Sequence, residues 1–224
     1  MSNHLWEFTI NGTLYEPPLS QVAHSNANFG YPPILRCDRA VAKGGASKGC
    51  VFTEAAPVFR LAPEPEAAEH ASEAQANGSP GAFKLKAGTR AIADDTVTGT
   101  NALLRAKVVR VIDANRYATC KGGNSALANL RPKNFSTTCF LGSPNCDCDE
   151  YPFAATWNGG RLQPNTTSVK FINSIQNRIS GSNLASFYLN ERLIDQTVDD
   201  GVTFMVSDPL PTQSSADSFW VKGK

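Results

Sequence analysis

Six cysteines constrain this chain more than any other feature: Cys37, Cys50, Cys120, Cys139, Cys146 and Cys148. Their number is even, four of them fall between positions 120 and 148, and one close pair, Cys146-Asp147-Cys148, stands among them. A structural zinc site usually shows two close ligand pairs, or Cys pairs followed by spaced His. Here the three His (His4, His24 and His70) all lie in the first third of the chain. Six reduced thiols would be a high count for a cytosolic protein. Disulfides are the better reading. A Cys37–Cys50 bridge would staple the Gly- and Lys-rich stretch between them, and a loop of that size gains roughly 3 kcal/mol from closure. The other four Cys allow three pairings, among which sequence does not choose.

Disulfides imply an oxidising place of work, so the expected location is secreted or extracellular. The start, Met1-Ser2-Asn3-His4-Leu5-Trp6-Glu7, lacks the basic segment and apolar run of a signal peptide. The signal then lies outside this chain, or export uses another route. With 224 residues, one domain with a decorated end is expected. A hydrophobic fraction of 41% and a charged fraction of 18% exclude wholesale disorder. No window reaches the roughly 18–20 apolar residues of a membrane span. A net charge of +1 excludes holding nucleic acid by bulk charge alone. Any such binding must use a local basic face or a bound cation.

Along the chain, residues 5–10 alternate and Asn11-Gly12 is a turn, which predicts a hairpin. Residues 50–52 and 57–61 predict short strands. Residues 64–76 predict a helix, with Pro65 in its first turn, early acids, and Asn77-Gly78 at its end. Residues 82–118 are ambiguous, the β-branched run 107–112 could be a strand, and 119–147 reads as a loop held by disulfides. Then come a strand ending in 154–157, a turn at 158–160, a strand over 168–172, a helix over 177–193 and a last strand over 203–206. The tail from Asp208 is expected to fray. The C-terminal third therefore reads strand, turn, strand, helix, strand.

Asp147, Asp149 and Glu150 put three carboxylates within four positions. On a strand, Asp147 and Asp149 would face one side and Glu150 the other. Clustered carboxylates repel, so they need a cation, an Arg or open water. Asn177 follows Asp149 by 28 positions, which leaves room for a strand, a turn, a second strand and a helix start. As a helix N-terminal residue, Asn177 could also be a plain cap. Tyr151 and Trp157 read as packing, and Arg105, Lys107 and Arg110 as a weak basic face.

The string Cys148-Asp149-Glu150-Tyr151-Pro152-Phe153-Ala154 resembles the signature of the NucA/NucB deoxyribonucleases. The resemblance continues through Gly159-Gly160, Gln176-Asn177-Arg178 with Gly181-Ser182, then Leu184, Phe187-Tyr188, Arg192 and residues 202–206. Looser matches run back through 112–116, Glu69-His70, 49–52 and 36–38. It departs from the family pattern at Cys146, which with Cys148 flanks Asp147, and at Ile179-Ser180, where the family has Gly.

The resemblance implies a metal-dependent, largely sequence-nonspecific DNA endonuclease built as a β-hairpin and helix around one divalent cation. Many nucleases of that architecture use a His as base. With all three His far upstream, a carboxylate must do that job here, and His70 reads as structural. The resemblance makes Asp149 the general base, and Glu150 a metal ligand or the residue that orients a water beside the metal, with these two roles exchangeable. Asn177 would be a metal ligand through its amide oxygen. Arg178 would hold a phosphate oxygen and, with Arg192, contact DNA. Oxygen donors suit Mg²⁺ or Mn²⁺.

The expected fold is α+β: a small antiparallel sheet with packed helices, a hairpin-plus-helix metal-nuclease core in the C-terminal third, and disulfide-stapled loops. The expected division is an extension over 1–35, a nuclease domain over 36–206 and a tail over 207–224. Two settings fit: a secreted DNase, or the nuclease end of an antibacterial toxin, which would need an immunity partner. An RNase on the same scaffold would differ only in substrate. The alternative from another class is an extracellular binding module whose acidic cluster holds a structural Ca²⁺.

Overall fold

The computed structural model describes residues 19–22, 34–38, 49–52, 56–61, 64–83, 101–121, 134–140, 143–197, 209–214 and 216–223. The hairpin expected over 5–15 and the strand expected over 203–206 lie outside them. The chain divides into two compact units, 1–55 and 56–224. In the first, β1 (Leu19–Val22), β2 (Ile34–Asp38) and β3 (Gly49–Phe52) form an antiparallel sheet with β2 in the middle. Cys37 stands opposite Cys50 in the β2–β3 ladder, and Cys50 is disulfide-bonded. The boundary expected at position 36 falls inside β2, whose two neighbours come from either side of it in sequence.

The second unit holds β4 (Val58–Arg60), α1 (Pro65–Ala76), β5 (Leu103–Leu104), α2 (Val109–Arg116), β6 (Cys146–Tyr151), β7 (Ser168–Asn173), α3 (Ser174–Asn190) and β8 (Ser218–Lys222). The α+β expectation holds, but the three-stranded sheet β4-β8-β5 is mixed. β8 runs parallel to β4 and antiparallel to β5. The tail expected to fray supplies its central strand. Phe219 and Val221 are fully buried in the main core, and that apolar run is the signal the tail reading passed over.

α1 takes its expected bounds. Pro65 begins it, and Gly78, at φ +96°, lies just beyond its end, where a residue with a Cβ would be strained. Its buried Ala67, Ala68, Ala71 and Ala74 let the helix approach the core closely.

Residues 109–116 are helical rather than extended. Val108, Val111 and Ala114 are buried at threefold spacing, Val108 and Val111 packing with Trp157, while Val109 faces solvent. Tertiary burial here overrides the β-branched preference. The expected basic face dissolves as a result. Arg110 is buried, Arg105 lies 4.9 Å from the centre of the Tyr188 ring, and Lys107 alone is exposed.

The strand expected over 154–157 ends earlier, at Tyr151, because Pro152 has no N–H for a ladder. Thr156 keeps a single bridge, to Arg105. Buried Asn115 holds this turn region to α2. It donates to the carbonyls of Ala154 and Thr156, both at 2.9 Å, and accepts the Arg161 N–H at 3.0 Å. Among the described residues no helix is long and apolar enough to cross a membrane.

Candidate active site

β6 and β7 pair antiparallel, with Asp149 opposite Lys170 and Glu150 opposite Val169, and α3 follows β7 directly. The three carboxylates meet different partners. Asp147 accepts from exposed Arg178, Nε to Oδ2 at 2.9 Å and Nη2 to Oδ1 at 3.4 Å. Asp149 meets α1. Glu150 turns toward Cys120, its Oε2 lying 3.1 Å from Cys120 Sγ. That contact carries no proton, because the sulfur is already bonded to Cys148. The second bridge is Cys139–Cys146, so both ends of Cys146-Asp147-Cys148 are tied and the pairing that sequence left open is resolved.

α3 begins at Ser174, earlier than expected, because Asn173 caps it. The Asn173 side chain accepts the N–H groups of Ile175 at 3.0 Å and Gln176 at 3.2 Å. The capping role open to Asn177 is therefore filled by another residue. Asn177 instead donates its amide to the Cys148 carbonyl at 3.3 Å, which leaves its amide oxygen as the remaining polar atom.

Asp149, Glu150 and Asn177 line one open cleft of about 320 Å³, together with Arg116 and the Cys120–Cys148 disulfide. Arg178 and Arg192 do not line it. The Arg178 side chain is 73% exposed on its Asp147 pair, and Arg192 is 7% exposed beyond the end of α3. Arg116 was missed because a lone Arg at a helix end has no distinguishing sequence context. Its side chain is half-exposed, with Asp113 at 3.9 Å, a pair of small energetic weight.

His70, read from the sequence as structural, meets one of the cleft carboxylates. It sits on α1, 1% exposed, with Nδ1 2.6 Å from Asp149 Oδ2 and Nε2 3.0 Å from Ser168 Oγ. On the same helix face Glu66 and Glu73 also reach the hairpin. Glu66 accepts the Asn173 N–H at 2.7 Å and the Thr138 hydroxyl, and Glu73 takes Lys170 Nζ at 2.7 Å. Burial pushes the Glu66 carboxyl up, but the Thr138 hydroxyl, the Asn173 N–H, the Ser136 hydroxyl and the Lys170 charge outweigh it and hold its pKa below the ordinary value. The spacing 66, 70, 73 is one helical stripe, so α1 is polar where it crosses the hairpin and Ala-lined where it meets the core.

The cleft donors are carboxylate and amide oxygens, which fit a hard cation. Among the described residues no three His, Cys, Asp or Glu side chains form a closed cage. Mg²⁺ sites are typically of this kind, with one or two carboxylates and the remaining positions left to water and phosphate oxygens.

Residues 105–207 match the family model described as Deoxyribonuclease NucA/NucB. No curated protein and no solved structure matches the chain.

Proposed function

We propose that the cleft between β6 and α3 is the catalytic centre of a deoxyribonuclease, on the footing that residues 105–207 match the NucA/NucB deoxyribonuclease family. The reading is of a metal-dependent, largely sequence-nonspecific endonuclease. The observation that carries it is the arrival of Asp149, Glu150 and Asn177, from two successive elements, at one cleft. Glu150 and Asn177 would hold a divalent cation, Mg²⁺ or Mn²⁺. When bound, that ion would stabilise the negative charge that builds on the phosphate during cleavage.

Asp149 takes a proton from the attacking water as the new P–O bond forms and the bond to the leaving oxygen breaks. Its Oδ1 is free for this because Oδ2 is engaged by His70. Among the described residues Arg116 is the cation that lines the cleft, and it is suited to a non-bridging phosphate oxygen. Arg178, with its charge met by Asp147, is left to contact the DNA backbone outside the cleft lining. The disulfides Cys120–Cys148 and Cys139–Cys146 suit work in an oxidising compartment, as a secreted DNase or as the nuclease part of a toxin held in check by an immunity protein.

The test is plasmid cleavage by the oxidised protein in Mg²⁺, in Mn²⁺ and in EDTA. Activity is expected with either metal and not with EDTA. Asp149→Asn should lose on the order of 100-fold or more in kcat while still folded. Asn177→Ala should need more metal for half-maximal rate. A folded Asp149→Asn protein that cuts at the wild-type rate would overturn the assignment. Metal-raised stability with no cleavage of DNA or RNA would favour the Ca²⁺-binding alternative.

A further inference from the structure

We propose that His70 is a positioning residue for Asp149, so that the catalytic centre extends onto α1, outside the family-matched stretch; this rests on Asp149 acting in the cleft. At 1% exposure His70 cannot reach DNA, so whatever it contributes must pass through its two contacts. One contact is Asp149 Oδ2 and the other is the Ser168 hydroxyl, from the two strands of the hairpin. A ring held at both nitrogens cannot turn, and a carboxylate with one oxygen on that ring presents the other oxygen in a fixed direction. With the ring neutral or protonated, the Nδ1 proton is the one Asp149 accepts, and Nε2 and the Ser168 hydroxyl share the second hydrogen bond that fixes the ring.

The placement of the ring is itself constrained. Glu66 and Glu73, four positions before and three after His70, tie the same helix stripe to Asn173 and Lys170 of β7. Lys170 is also the register partner of Asp149. Asp147 and Glu150 add negative charge on either side of Asp149, and repulsion among the three would otherwise turn its side chain toward solvent. A donor 2.6 Å away holds it against that repulsion.

The test compares kcat and KM on DNA for the full chain with His70→Gln, His70→Asn, Ser168→Ala, Asp149→Asn and the double variant His70→Gln/Asp149→Asn. An Asn amide nitrogen falls near the place of Nδ1, whereas a Gln amide reaches toward the place of Nε2. His70→Gln is expected to lose about 10–100-fold in kcat with KM unchanged. His70→Asn should regain most of the loss, and Ser168→Ala should lose less than His70→Gln. The double variant should be no slower than Asp149→Asn alone.

A folded His70→Gln protein with wild-type kcat overturns the proposal, as does an equal fall in both His70 variants that simply follows their lost thermal stability. If Gln unfolds the chain, proton NMR of the wild type decides. A low-field His70 Nδ1 proton that moves in Asp149→Asn supports the pair, and its absence overturns it. If Asp149→Asn is fully active, the reading of the cleft fails and this proposal with it. If Asp149→Asn is inactive and His70→Gln is not, only the positioning role fails.

Discussion

Replacing Cys120 and Cys148 together by Ala should damage both stability and catalysis, and more than the same change at Cys139 and Cys146. The first bridge closes a loop of sequence separation 28 and the second one of separation 7. Loop-closure entropy then assigns about 3.6 kcal/mol to the long bridge and about 2.4 kcal/mol to the short one at 25 °C. For a unit of this size, about 3.6 kcal/mol corresponds to a fall of about 7–14 °C in Tm.

The catalytic effect has a separate origin. Cys148 precedes Asp149 directly, its carbonyl takes the Asn177 amide, and its partner Cys120 lies against the Glu150 carboxylate. Cutting that bridge frees the cleft wall from the π-helical turn at Tyr117–Lys121, so kcat should fall even well below the lowered Tm. The assay is thermal and urea unfolding of both double variants, followed by plasmid cleavage at a temperature where each is fully folded. A Cys120/Cys148 variant that melts within about 2 °C of wild type would refute the energetic reasoning. If the Cys139/Cys146 variant were the one to lose catalysis, the placement argument would fail.

Glu66 supplies a pH dependence with a definite sign. Its carboxyl titrates below the ordinary value of 4.5 in the folded protein, so its contribution is fully present above that value and is lost as pH falls through the lowered one. The Tm gap between wild type and Glu66→Gln should therefore be widest above about pH 5 and close in acid, and a gap that widens in acid would contradict this. Arg116→Ala should weaken DNA binding and flatten its log–log salt dependence by about one unit, because one phosphate contact is lost. An unchanged slope would remove Arg116 from the phosphate site.

Residues 168–173 and 174–190 were legible because strand alternation and helical spacing are local patterns, and α1 was legible because Pro65 and Gly78 punctuate it. The cluster at Asp149 and Glu150 and the approach of Asn177 followed from the same local order. The errors arose where burial overrode propensity. Residues 107–112 looked extended, yet Val108 and Val111 are buried at helical spacing while Val109 faces solvent, and the apolar run in the tail was discounted because of where it stands. Arg192 looked like a DNA contact by its place in the pattern, but it is buried.

By itself the sequence determined the hairpin-and-helix core, the carboxylate pair, the resemblance to the family and the expectation of disulfides, since each is carried by residues close together along the chain. Only the tertiary structure decided which cysteines pair, that Asn173 caps α3 and leaves Asn177 to the cleft, that Arg116 enters the cleft in place of Arg178, and that His70 meets Asp149 across 79 positions. Those contacts depend on how α1 and α2 lie against the hairpin. That placement is set by long-range packing, which no local periodicity encodes.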